Sequence, residues 1–253
     1  MKIPFTLTSI SILLFSGIAP IGVSAQQANV KSFATWCQER NSASADTKRT
    51  IDAMLQKAGT KDCQQADTKL KSLSELYLSG DRLKDLKPLA SLTNLKALFL
   101  NSNQISDLKP LASLTNLRGL DLNSNQISDL KPLASLTNLK TLFLNANQIE
   151  NVKPITSLKD LVYLEFHANQ ISDIKPLASL KNLTGLDLNS NQISDIKPLA
   201  SLKNLTELKL SRNQISDVKP LASLKNLTDL YLSHNQLEEK DCPVKPRSCR
   251  FDS

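Results

Sequence analysis

Glu165 and Asp187 are two carboxylates whose spacing has a chemical meaning, because the 22 residues between them are also the period at which most of the chain repeats. On a stack of equal units they occupy one place on neighbouring strands, roughly 5 Å apart, a separation that retaining glycosidases use. His167 follows closely, and Gly185 is expected to leave room. The setting argues against catalysis: an open, wet sheet face neither desolvates a carboxylate nor closes a pocket around a substrate. No nucleophile elbow, phosphate loop or H-E-x-x-H motif accompanies the pair. Glu165, His167 and Asp187 make no better a metal site. The reading is therefore a protein without catalytic residues, metal or cofactor.

Tyr77, Phe99, Phe143 and Tyr163 offer another chemistry. Exposed aromatic side chains on a rigid surface bury much area at little entropic cost, which is what binding hot spots need. They also favour strands and pair laterally, so a purely structural role competes with recognition. Asp121, Glu165 and Asp187 are interleaved with them and make the face acidic. A protein or peptide ligand with apolar and basic features suits it best. The alternative is an envelope polysaccharide, with rings stacking on sugars and carboxylates bonding hydroxyls.

These residues are positioned by a 22-residue unit, LKALFLNSNQISDLKPLASLTN from Leu95, which recurs from Leu117, Leu139, Leu161, Leu183, Leu205 and Leu227. A looser copy starts at Leu73. Eight copies in register describe a stack of small coils, none able to bury its leucines alone. Counting from the first leucine, positions 1, 4, 6, 11, 14, 17 and 20 are Leu, Ile or Val in nearly every copy. The L-x-L at positions 4 and 6 predicts a short strand with one buried face. Positions 3, 5, 7 and 8 should then line the outer side of that sheet. Proline at position 16, as in Pro110, suits the first turn of a short helical segment and excludes a second central strand. Asparagine at position 9, as in Asn125, sits where buried backbone groups need a partner that both donates and accepts.

L-x-x-L-x-L-x-x-N-x-I at this period, followed by x-D-L-x-P-L-A-x-L, resembles the bacterial leucine-rich repeat of the internalin-like subclass. The resemblance covers residues 73–237. It implies an α/β solenoid, a right-handed horseshoe with a parallel concave β-sheet and short 3-10 or irregular turns on the convex side. In that family the concave side usually binds another macromolecule. Asp81 replaces the ladder asparagine in the first copy, and Glu150-Asn151 depart mildly in the fourth. No wall-sorting motif or appended repeat module is visible, so adhesion to a host cell is not carried over.

Residues 1–25 read as a signal peptide: Lys2, an apolar stretch from Ile10 to Ile21, then Val23-Ser24-Ala25. The apolar run is too short for a membrane span, and no stable membrane insertion is expected. Export to a periplasm or the exterior agrees with the cysteines. Cys37 and Cys63 precede the repeats, Cys242 and Cys249 follow them, and a linear stack permits only Cys37–Cys63 with Cys242–Cys249. A four-thiolate metal site fails on the same geometry.

Residues 26–72 are expected to form a helical, disulfide-bridged cap. Ile51, Met54, Leu55 and Ala58 lie at helical spacing before Gly59, and Asp62 with Gln65 suggests a second helix start. Residues 238–253 form the other cap, with Phe251 plugging the last coil. The formal net charge of +7 invites a nucleic-acid reading. However, the lysines at position 15 follow aspartates at position 13, which suggests paired ladders of opposite sign on the outer side, not a phosphate track. Asn182-Leu-Thr184, Asn204-Leu-Thr206 and Asn226-Leu-Thr228 match a glycosylation pattern, but the repeat consensus explains them.

Overall fold

A chain that must bury seven apolar positions in every 22 residues does so here by coiling. The computed structural model describes residues 30–237, 242–244 and 249–251. The leader expected over residues 1–25 lies outside these, as do Glu238, Glu239, Lys240 and Asp241. Each coil gives one short strand: β1 (Glu75–Tyr77), β2 (Ala97–Phe99), β3 (Gly119–Asp121), β4 (Thr141–Phe143), β5 (Tyr163–Glu165), β6 (Gly185–Asp187), β7 (Glu207–Lys209) and β8 (Asp229–Tyr231). All are parallel and neighbour one another in chain order. Equivalent repeat positions face each other, as Phe99 faces Asp121 and Glu165 faces Asp187. A strand, a crossover and the next parallel strand wind right-handed. The result is an unclosed solenoid with its sheet on the concave side.

The return path is the proline turn. Lys109–Ser113 is a 3-10 helix with Pro110 in its first turn, and the pattern recurs in the following coils. The missing N–H of proline costs nothing there. Leu95, Leu98, Leu100, Ile105, Leu108, Leu111 and Leu114 are at most 1 % exposed, so one continuous core runs the length of the stack. Each fully buried leucine contributes about 1.5–3 kcal/mol.

Three side-chain ladders join the coils. Asn125 accepts the N–H of Ile105 through Oδ1 at 3.0 Å and donates through Nδ2 to the carbonyls of Leu100 and Leu122. The position-9 amide thus does what its chemistry predicts. A second ladder was hidden in the glycosylation pattern: Asn182, Asn204 and Asn226 donate Nδ2, the atom a glycan would occupy, to the carbonyls of Lys159, Lys181 and Lys203. A third runs through serine, with Ser113 Oγ donating to the Ala90 carbonyl and Ser135 Oγ to that of Ala112. Intact ladder side chains donate to the coil before them; Asp160, paired with Lys140, interrupts the second ladder, and Ser179, which donates to Pro176 of its own coil, interrupts the third. The first coil has no preceding coil, and its ladder residues supply the two unpartnered buried side-chain atoms found among the described residues, Asp81 Oδ2 and Ser91 Oγ.

The outer aspartates differ from expectation. Asp107 Oδ1 accepts the backbone N–H of Lys109 at 2.9 Å, and Asp129, Asp173, Asp195 and Asp217 repeat this. They cap the 3-10 turn instead of forming an ion-pair ladder. Asn151 does the same for Lys153, so the fourth-repeat departure keeps the bond and drops the charge. Lys87–Asp85, at 3.7 Å, is the one ion pair of this row among the described residues.

Three helices cover the first coil: α1 (Phe33–Gln38), α2 (Ala45–Ala58) and α3 (Cys63–Ser72). Ser44 caps α2, and Gly59 closes it at φ +64°, a conformation that favours glycine. Thr47 and Thr50 bond the side chain and carbonyl of Asp85, fastening α2 to the repeats. Asp62 caps α3 through the Gln65 N–H, while the Gln65 side chain turns to Thr60. Cys37–Cys63 and Cys242–Cys249 are both bonded. Beyond the repeats, β9 (Cys249–Arg250) adds to the free edge of β8, and Phe251 packs against the core.

Candidate functional site

Strand alternation buries positions 4 and 6 and leaves 3 and 5 facing out across the sheet. Along position 5 the register reads Tyr77, Phe99, Asp121, Phe143, Glu165, Asp187, Lys209, Tyr231. Tyr77 and Phe99 stack, with ring centroids 4.4 Å apart and planes within 2°. Tyr77 is 52 % exposed. Its hydroxyl donates to Glu75 at 2.6 Å, and this bond holds the phenol pKa above its usual value.

Phe143 stands apart from that stack, between Asp121 and Glu165. Asp121 lies between Phe99 and Phe143 in the register, and burial pushes its carboxyl pKa up, partly offset by the N–H of Asn123. Tyr163 belongs to the position-3 row and is 49 % exposed. Its ring rests against Gly185, so close that a Cβ there would meet Cδ1 at 2.6 Å. The space expected beside Gly185 is therefore filled, and the glycine is buried under the ring.

The carboxylates beyond it are engaged. Glu165 accepts from Asn145 Nδ2 at 2.6 Å, and Asp187 accepts the N–H of Asn189 at 2.9 Å. Lys209 reaches Asp187 at 3.7 Å and Glu207 at 3.2 Å. Burial works against its charge, but the Glu207 hydrogen bond and the fields of Asp187, Glu207 and Glu165 outweigh it and raise the pKa. The niche among Tyr163, Glu165, Gly185, Asp187, Glu207 and Lys209 measures about 20 Å³. That admits a single water molecule and no sugar ring.

Positions 7 and 8 serve the scaffold more than the surface. Asn145 Oδ1 accepts the N–H of His167 at 2.7 Å, so that histidine is held by its backbone. Position 8 takes a left-handed turn without glycine in seven coils, from Ser102 at φ +58° to His234 at φ +56°. A groove of about 720 Å³ lies away from the sheet, between the N-terminal helices. Cys37, Leu55, Gly59 and the Arg40–Asp52 pair line it. A protein-binding face needs no such pocket.

No described helix is long and apolar enough to cross a membrane. Among the described residues no cluster suited to a metal ion occurs.

A family model for leucine rich repeats matches residues 71–113, 115–160, 159–201 and 203–242. Internalin C2 from Listeria monocytogenes is similar at 32 % identity, over 79 % of this chain and 91 % of that one, with a TM-score of 0.72. A leucine-rich repeat protein from Leptospira interrogans is similar at 29 % identity, over 75 % of this chain and 57 % of that one, with a TM-score of 0.58. Comparison with curated proteins gives no match.

Proposed function

The chain belongs to the leucine-rich repeat family, in its bacterial internalin-like form, and from that premise we propose that its concave face binds another protein or peptide. Proteins of this kind are in general non-catalytic scaffolds for protein partners. The observation that carries the choice of face is the exposure of Tyr77 and Tyr163 beside half-buried Phe99 and Phe143. Positions 4 and 6 already fill the core, so packing does not require aromatic residues there. These four are the anchors, and Asp121, Glu165 and Asp187 steer a partner with basic features. The leader-like residues 1–25 and two disulfides support export to a periplasm or the exterior.

The test is a crosslinking pull-down from the native envelope with wild type and a Phe99→Ala/Phe143→Ala variant. The variant should remain folded and lose about tenfold or more in partner recovery, since two hot-spot aromatics each carry about 2 kcal/mol or more. Unchanged recovery would remove the aromatic band from the interface. Saturable binding to a neutral glycan that disappears in Phe143→Ala would favour the polysaccharide alternative, and hydrolysis abolished by Glu165→Gln would revive catalysis.

A further inference from the structure

The geometry points to a second binding surface, on the edge of the solenoid where the strands begin, whose ligand is a linear anionic polysaccharide. This surface is independent of the concave face.

Every turn leading into a strand, from β2 to β8, places one cation on that edge. Lys96, Arg118 and Lys140 supply it from position 2. Position 2 then becomes Val162, Thr184, Thr206 and Thr228, and the charge moves three residues back, to Lys159, Lys181, Lys203 and Lys225 at position 21. Both positions flank the turn leading into the strand, so the row continues while its source changes. All seven cations are exposed. Across positions 21, 22, 1 and 2 of these coils the single opposing carboxylate is Asp160, which pairs with Lys140 at 2.7 Å. The basic balance of the repeats therefore gathers on one edge, while the sheet face is acidic.

A structural duty explains only part of the row. Lys159, Lys181 and Lys203 donate to the carbonyls of Ser179, Ser201 and Ser223 at 3.4, 3.3 and 3.3 Å, and Lys225 to that of Ala222 at 3.1 Å, all at the ends of 3-10 turns. The earlier coils carry threonine at position 21, as Thr115 and Thr137, and form the same turns. Capping by lysine is thus not required by the fold. Lys96 and Arg118 are exposed and keep the row going where that capping is absent.

The shape of the row selects the ligand. Coils rise by about 4.8 Å, so seven cations in single file span about 29 Å. A flat membrane engages a two-dimensional patch, whereas a file of charges matches one polymer chain. Single-stranded nucleic acid calls for aromatic platforms, and none occurs at these four positions. The exposed asparagines of the edge ladder, such as Asn182 and Asn204, have Nδ2 anchored to the preceding coil. Their Oδ1 atoms are left to accept from sugar hydroxyls.

Polygalacturonate, with one carboxylate per sugar, is titrated onto the protein at stepped salt, with neutral dextran, single-stranded DNA and phosphatidylglycerol vesicles as comparison arms. Polygalacturonate should bind, weaken steeply as salt rises, and exceed the other three. Lys181→Gln/Lys203→Gln/Lys225→Gln should lower the affinity about tenfold or more, in line with the loss of three charge contacts. Lys153→Gln/Lys175→Gln/Lys197→Gln, which removes the same charge from the outer row, should change it less than about twofold. Phe99→Ala/Phe143→Ala should leave it unchanged. Equal loss in both lysine variants, preferential binding of vesicles or DNA, or no binding of polygalacturonate at low salt would overturn the proposal.

Discussion

The ring of Tyr163 packs against Gly185 across the β5–β6 pair, at a distance that leaves no room for a β-carbon. An exposed aromatic is thereby held at a set tilt by the absence of a side chain on its neighbour. Replacing Gly185 with alanine should cost about 1–2 kcal/mol, because the ring must swing away or the strands must part. In a Tyr163→Ala background the same substitution should be nearly neutral. A double-mutant cycle by chemical denaturation measures the difference, and equal costs in both backgrounds would mean the ring is not what the glycine accommodates.

Asn125 and Asp81 occupy the same repeat position with opposite outcomes. Asn125→Ala leaves the Ile105 N–H without a partner and takes one of two amide donors from the Leu100 and Leu122 carbonyls, which keep Asn103 and Asn147. It should destabilise the protein by about 2 kcal/mol. Asp81→Asn replaces a buried, unpartnered carboxylate oxygen with a donor and should stabilise by about 1 kcal/mol. Denaturant midpoints of the two variants should move in opposite directions.

Position 8 stores backbone strain. Ala146 and Ser124 sit at φ +53° and +55°, where a β-carbon costs about 1 kcal/mol. Ala146→Gly should therefore raise the thermal midpoint, despite the entropy glycine adds to the unfolded chain. A fall on substitution would show that the left-handed turn carries little strain.

Burial between Phe99 and Phe143 raises the Asp121 pKa in the folded state. A raised carboxyl binds protons more readily when folded than when unfolded, so its contribution is fully present below the unfolded value of about 3.9 and is lost as pH rises through the folded pKa. Asp121→Asn should consequently stabilise at neutral pH, by about a few tenths of a kcal/mol given the solvent exposure. The advantage should vanish on acidification below about pH 4. An advantage that grows with acid would contradict the burial argument.

The two disulfides should differ on removal. Cys37–Cys63 closes the longer loop, with a sequence separation of 26 against 7 for Cys242–Cys249. Chain entropy predicts losses of about 3.5 and about 2.5 kcal/mol respectively. Cys242→Ser/Cys249→Ser should also release β9 and bare the edge of β8, and light scattering should detect self-association. A monomeric variant with protected β8 amides would show that β9 holds without its bridge.

Much of this was legible because certain residues have one good use in such a coil. Leucine at positions 4 and 6, proline at 16 and asparagine at 9 each specify their own environment. Other features depend on neighbours that a local pattern does not contain. The six residues of α1 are too few to show a period, and β9 exists because β8 offers an open edge. Asp107 and Lys109 read as a charge pair, since a sequence does not reveal that the lysine's own N–H lies nearer than its ammonium. On the face, alternation gave the right rows. The Tyr77–Phe99 stack and the seating of Tyr163 on Gly185 are rotamer choices settled between strands.

The side chains of all three ladders reach back from one coil to the one before, with breaks at Asp160 and Ser179. A coil that carries all three is thus an interchangeable part with one kind of socket and one kind of plug, and such a coil can be excised or copied with its junctions re-formed. Reach along the axis becomes a quantity that can be lengthened or shortened in whole steps without redesigning a joint.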